Sequence, residues 1–364
     1  MLMSFRNSNS KYTKRSLSLD AVRGVAILIV VVFHFREFGI FPALPSPYTV
    51  VPMFGMFGVD LFYVLSGFFI TKAIISPAIW NPGSFLLARV TRIYPAFLFS
   101  LAFFVGLKIF NEKTFDLYLL TNIMLHSLML HNLIPGIGGS INGTYWTLGV
   151  EFPYYFFMLA ISYFLRTWKS FWITSVVMLV LCLVWRAGVF LFIPTDMGRF
   201  FASTQLPGTL DAFAFGGMAA GLVRHEKLNQ LLSLWRWPVL VIGLVVTALS
   251  LNYVAHHAGH YWALGWTAIL WRSSLAAGFA IIIAACANMQ YSKMLHYSGL
   301  PWLGKISFSL YIYHLFPAIL ARKYLPEVEW QWKLPLASLL ALGISWASWR
   351  FIETRFHRTT APIQ

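Results

Sequence analysis

Apolar and polar residues occur along this chain in blocks, not in single steps. Long apolar runs of about 20 residues alternate with short stretches carrying Lys, Arg, Pro and Gly. At 1.5 Å rise per residue, about 20 helical residues match the ~30 Å hydrocarbon thickness of a bilayer. The runs predict spans at approximately 19–37, 54–75, 92–110, 145–165, 171–193, 207–223, 237–254, 265–287, 303–321 and 334–352. The predicted fold class is therefore all-α, a polytopic membrane helix bundle of about ten transmembrane helices. One further apolar stretch, 117–133, breaks the in-and-out alternation if it crosses. It contains Asn122, His126, His131 and Asn132 and runs into IPGIGGSING. It is predicted to be a re-entrant or interfacial segment on the outer side, with its backbone covered by protein or a wet cavity.

Composition sharpens this picture. With 59% hydrophobic and only 11% charged residues, and a mean hydropathy of +0.69, the chain lacks the charge to cover a water-soluble globule. The net charge of +15 would suggest nucleic acid in a soluble protein. Here the Lys and Arg lie between apolar runs and at their ends, so the charge reports topology and no nucleic-acid partner is expected; the lipid bilayer is. Lys11, Lys14, Arg15, Arg166, Lys169, Arg224 and Arg355 fall on one side, against Lys108, Lys113, Arg199 and Lys333 on the other. The richer side is expected to be cytoplasmic, with both termini there. The corresponding division is a cytoplasmic basic tail (1–18), a membrane domain (19–354) and a cytoplasmic C-terminal tail (355–364). The first helix shows no cleavage pattern. Cys182 and Cys286 sit singly in apolar runs and read as free thiols.

Ionisable groups inside spans are costly and mark cavities or bundle interiors. In LDAVRGVAILIVVVFHF, Arg23 and His34 are eleven residues apart, which returns to within about 20° of the same helix face and separates them by roughly 16 Å. Asp20, three residues before Arg23, can pair with it, leaving a surface ion pair and a core histidine as the bland reading. Asp60 is either a helix-start charge or a partner for a cation or imidazole. Arg89 and Arg92, on the cytoplasmic side at a helix start, suit a phosphorylated ligand or ordinary positive-inside charge. Glu151, in the outer half of an aromatic span, is a structural pair member or a proton acceptor. His314 could line the same cavity. Ser66 lacks a nucleophile elbow and reads, with Gly67, as helix packing. Arg186 and Arg272 pair with carboxylates or touch substrate. Neither GIGGSING nor HHAGH is read as a phosphate loop or a metal site; no metal is expected.

The ordered series LDAVRGVAILIVVVFH, VDLFYVLSGFFI, ARVTRIYPAF, WTLGVEFPYYF, LGKISFSLYIYH and FIETRF resembles the membrane-bound acyltransferase-3 family, from Leu19 to about Arg355. These are bacterial enzymes that O-acylate, most often O-acetylate, surface and secreted glycans. The resemblance implies that Arg23 and His34 match an essential Arg-x10-His signature. Arg89 and Arg92 match an Arg-x-x-Arg signature for the acyl-coenzyme A donor. It also implies a re-entrant segment before WTL-x-x-E, a bacterial inner-membrane location and the stand-alone type without an SGNH domain.

Function is then expected to be transfer of an acyl group, acetyl above others, from cytoplasmic acyl-CoA to a sugar hydroxyl of a cell-surface or lipid-linked glycan. Catalytic roles are expected for His34, Arg23, Glu151 and Asp60, donor binding for Arg89, Arg92 and Arg23, and acceptor contacts for His314, Trp146 and Tyr154. The competing class is a transporter or flippase with an Arg/His/Glu relay; it would be favoured by an inverted repeat, and none is seen.

Overall fold

The computed structural model describes residues 16–43, 52–76, 80–257, 260–289 and 293–357. Most of the basic tail, the end of the C-terminal tail and part of HHAGH lie outside the described residues. The first half of the chain forms α1 (Leu17–Glu37), α2 (Gly58–Ile74), α3 (Pro82–Glu112), α4 (Leu117–Ser127), α5 (Leu148–Ile161), α6 (Trp168–Phe192) and α7 (Asp196–Ser203). There follow α8 (Leu206–Arg224), α9 (Glu226–Leu234), α10 (Arg236–His257), α11 (Arg272–Ala287), α12 (Lys293–Tyr297) and α13 (Leu300–Lys305). The chain closes with α14 (Ser307–Tyr313), α15 (Leu315–Tyr324), α16 (Trp330–Ser348) and α17 (Thr354–His357). No strand occurs among the described residues.

Local chemistry sets the helix ends. Ser16 caps α1 by accepting the Leu19 N–H, and Gly39, at φ +69°, turns the chain away after it. Asn81 accepts the Ser84 N–H at the start of α3, with Pro82 in the first turn. These signals extend α3 ten residues before the predicted 92. Arg89 and Arg92 therefore stand inside a long helix, not at its start.

Among the described residues, nine helices are long and apolar enough to cross a membrane. The predicted ninth span, 303–321, is instead broken into α13, α14 and α15 at Ile306 and His314. Pro317 supplies part of the reason, since it has no N–H to donate to the Tyr313 carbonyl four residues back. The 117–133 stretch contains only the eleven-residue α4, about 16 Å long and too short to cross. It ends where Met129 adopts φ +57°, the Leu130 N–H returning to the Leu125 carbonyl and the Met129 N–H to that of His126.

The most buried spans are α2 and α8, the least buried α10. Backbones of α2 and α8 meet directly: a Cβ on Gly67 would strike the Phe213 carbonyl, and one on Gly216 the Val64 carbonyl. That close approach fulfils the packing role expected of Gly67. On the periphery, Val176, Val177, Val180, Leu181 and Val184 of α6 and Val241, Ile242, Val245 and Leu249 of α10 are exposed, the apolar surface a lipid-facing helix requires.

Two buried ion pairs lock this centre. Arg186 of α6 binds Asp211 of α8 at 2.8 Å, and gives further hydrogen bonds to the Gly208 carbonyl, 2.8 Å, and the Ile269 carbonyl, 3.2 Å. Ser273 of α11 donates to the other Asp211 oxygen at 2.6 Å. Arg272 approaches both oxygens of Asp60 at 3.2 Å. A π-helical turn, Thr267–Trp271, immediately precedes Arg272. Sequence left Arg186 and Arg272 open between pairing and substrate contact; packing assigns both to pairing.

Because the Arg186 guanidinium is 2% exposed, Asp211→Ala strands an uncompensated charge and is expected to cost about 3–5 kcal/mol. The double change Arg186→Met with Asp211→Leu should recover most of it. Thermal unfolding of detergent-purified protein measures both.

Candidate active site

A cavity of about 100 Å³ lies between α1, α2, α3, α5 and α14. Its polar lining comprises Arg23 from α1, Tyr63 and Ser66 from α2, Arg89 and Arg92 from α3, and Glu151 and Tyr155 from α5. Thr147, Ser307 and Tyr311 complete it. Six of the seven α2 lining residues, Val59, Phe62, Tyr63, Ser66, Phe69 and Ile70, form one helical stripe spaced by three and four residues, with Leu65 beside it.

Glu151 is the focus of the hydrogen bonding. Its Oε1 accepts from Ser66 Oγ and from Tyr155 Oη, each at 2.7 Å. Arg23 is held between Asp20, 3.1 Å away, and the Phe69 ring, with its guanidinium carbon 4.1 Å from the ring centroid. The Arg89 guanidinium lies over the Phe85 ring at 5.4 Å. Three guanidinium groups and one carboxylate thus line a single cavity; with Arg23 paired to Asp20, Arg89 and Arg92 outnumber Glu151, and the excess positive charge favours an anionic ligand. Sequence had set Arg89 and Arg92 on the cytoplasmic side and Glu151 in the outer half; tertiary structure makes them neighbours.

His34 stands further along α1, outside the cavity lining. Its Nδ1 is 3.0 Å from the Val30 carbonyl and 3.1 Å from Nε2 of His314. His314 is completely buried. Tyr311 joins the two regions: it lines the cavity, and its ring centroid is 6.1 Å from that of His314. Its hydroxyl donates to the Thr144 carbonyl at 3.0 Å and lies 2.7 Å from Thr147 Oγ1. Asn142 Nδ2 donates to the Ile312 carbonyl at 2.8 Å. The Gly-rich turn is thereby fastened to α14, the helix that leads into His314. The other end of the short 117–133 segment is fixed by His126 and His131, stacked 4.3 Å apart with planes 3° from parallel, and by His131 Nε2 on the Tyr145 carbonyl at 2.9 Å.

The structure gathers Arg23, Arg89, Arg92 and Glu151 into one cavity and pairs His34 with His314. Three other expected site residues, Asp60, Tyr154 and Trp146, lie outside the cavity lining. Asp60 is 3% exposed and bound to Arg272, so it reaches neither group. Tyr154 is fully buried, its ring 3.7 Å from that of Phe213; the next residue, Tyr155, faces the cavity. Trp146 is half-buried against Phe200, at 6.3 Å between centroids, and is not among the lining residues. Ser66, read from sequence as helix packing, lines the cavity and donates to Glu151. Its signal was being the one aliphatic hydroxyl on the apolar stripe of α2, a pattern shared with many packing serines.

The Acyltransferase domain family matches residues 16–350. The chain is 24% identical to O-acetyltransferase OatA of Staphylococcus aureus (strain NCTC 8325 / PS 47), over 96% of this chain and 58% of that protein. It is also 39% identical, over 93 residues, to Protein 2 in picA locus of Rhizobium radiobacter, a match covering 24% of this chain and 44% of that protein. The chain thus spans about half the length of the curated relatives it matches. No solved structure matches it.

Glu151→Ala removes the acceptor of two hydrogen bonds and the one carboxylate of the lining. A loss of about 2–4 kcal/mol is expected in equilibrium unfolding in detergent, with Glu151→Gln recovering part of it because an amide oxygen can still accept from Ser66 and Tyr155.

Proposed function

Since the chain belongs to the Acyltransferase domain family, we propose that it is a membrane O-acetyltransferase that moves an acyl group from cytoplasmic acyl-CoA to a sugar hydroxyl of a surface or lipid-linked glycan. The observation that carries this reading is the convergence of Arg23, Arg89 and Arg92 on one cavity, with His34 on the same helix as Arg23. The kinship with an O-acetyltransferase over nearly the whole chain supports the acetyl group and oxygen as acceptor atom.

In this reading the phosphates of the donor are bound by Arg89 and Arg92, for which guanidinium groups are suited by their paired N–H donors. The pantetheine arm then carries the thioester up the bundle toward His34. The His34 imidazole removes the proton of the acceptor hydroxyl as its oxygen attacks the thioester carbonyl. The C–S bond breaks, and the departing thiolate takes the proton from the imidazolium. Atoms and charge balance: acyl-CoA and alcohol give ester and coenzyme A thiol. The glycan enters from the outer side, past the 117–147 segment, and the bacterial cytoplasmic membrane is the compartment that offers both substrates. Trp146 borders that approach.

Mass spectrometry and NMR of surface and secreted glycans from cells with and without the gene test the reading. A mass difference of one acetyl group is expected, and identical glycans in both strains would overturn it. In membranes, His34→Ala is expected to lower transfer from labelled acetyl-CoA by about 10²–10⁴-fold. Arg89→Ala and Arg92→Ala should raise the KM for acetyl-CoA by about tenfold to a hundredfold, the loss of one charge-assisted contact.

A further inference from the structure

His34 carries two ring nitrogens, and acyl transfer needs one of them unprotonated and open. Which one is settled by the neighbours. Nδ1 of His314 lies 3.0 Å from the Leu310 carbonyl and 2.9 Å from the Tyr311 carbonyl. Carbonyl oxygens only accept, so His314 carries its proton on Nδ1 and its Nε2 is a bare acceptor. That Nε2 lies 3.1 Å from Nδ1 of His34, which must therefore be the protonated nitrogen. The Val30 carbonyl, 3.0 Å from the same Nδ1, requires the same proton independently. In the opposite arrangement the two rings could still share a hydrogen bond, but bare nitrogens would face the Val30, Leu310 and Tyr311 carbonyl oxygens.

The geometry points to His314 as a positioning residue that holds His34 as the Nδ1–H tautomer, leaving Nε2 of His34 as the atom that accepts the hydroxyl proton. Base, orienting partner and backbone anchor follow one another as in other acid–base assemblies, with a neutral imidazole in the place usually taken by a carboxylate. His314 suits this task by its own placement. It is fully buried, and its Nδ1 is occupied by its own helix. Its ring is inclined 55° to that of His34, with centroids 4.9 Å apart, so the two rings are tilted and not stacked face to face. The break between α14 and α15 falls at His314. Tyr311, one turn earlier, is bolted to Thr144 and Thr147, so the ring cannot slide along α14 without breaking that attachment.

Acceptance of the Nδ1–H bond strengthens as His34 becomes an imidazolium, so His314 acts on the transition state more than on substrate binding. This role rests on the reading of His34 as the base. Two measurements separate them. Solid-state ¹⁵N NMR of histidine-labelled protein in lipid, with the His34 signals identified by their loss in His34→Asn, reports the tautomer whatever the activity. Wild type is expected to show Nδ1 protonated and Nε2 bare. His314→Phe should blur this into a mixture, and His314→Gln, whose amide oxygen can accept from His34, should restore it. In membranes given labelled acetyl-CoA, His314→Phe should lower kcat about tenfold to a hundredfold with the KM for acetyl-CoA within about twofold. His314→Gln should recover most of the loss. The proposal is overturned by a wild-type His34 protonated on Nε2, or by His314→Gln no more active than His314→Phe when both are folded. Full transfer activity in His34→Ala would instead overturn the base assignment, while the NMR result would still decide the tautomer.

Discussion

A charge withdrawn from water into a low-dielectric interior must be met by an opposite charge or by hydrogen bonds, because the unpaired state costs several kcal/mol. The whole centre of this bundle is organised by that requirement. Arg186 is answered by Asp211, a serine and two backbone carbonyls, and Arg272 by Asp60. These contacts tie α6, α8, α11 and α2 together where lipid-facing helices gain nothing from hydrophobic segregation. Close backbone contact at Gly67 and Gly216 is the apolar counterpart of the same lock.

Against that fully paired centre, the cavity beside it is out of balance. Arg23 is paired with Asp20, while Arg89 and Arg92 face Glu151, which is already shared by Ser66 and Tyr155. Structural charges are matched by the fold; here positive charge remains for a ligand to neutralise. The aromatic face under Arg89 holds its guanidinium group without cancelling its charge, which keeps it available to an anion. The difference between a locked and an unbalanced set of charges separates scaffold from site more clearly than burial does.

The histidine pair adds a second kind of order. His34 and His314 are 280 residues apart in sequence, and neither is positioned by its own helix alone. The Gly-rich turn after the short outer segment grips α14 through Asn142, Thr144 and Thr147, and α14 presents His314 to α1. A segment too short to cross the membrane therefore acts on the site by fixing the helix that carries the orienting imidazole.

Sequence alone determined that the chain is an all-α membrane bundle, because hydrocarbon thickness and the need to satisfy every backbone group leave a run of about 20 apolar residues no other form. Helical periodicity likewise put Arg23 and His34 on one face, since both lie on one uninterrupted helix. It also excluded 117–133 from crossing. What tertiary structure decided are the partners. Asp60 was legible as a carboxylate at the start of a span, but its ion pair is with a residue 212 positions away. Ser66 looked like packing until α5 brought Glu151 to it. Tyr154 and Tyr155 are indistinguishable by composition, and only helix rotation sends one to the core and the other to the cavity. The ninth span read as continuous because its apolar content is continuous; its breaks fall at Ile306 and His314, within a segment that the Gly-rich turn contacts at Tyr311 and Ile312. Periodicity is a local property of a helix, whereas pairing depends on which helices meet, and in this chain the site consists of pairs.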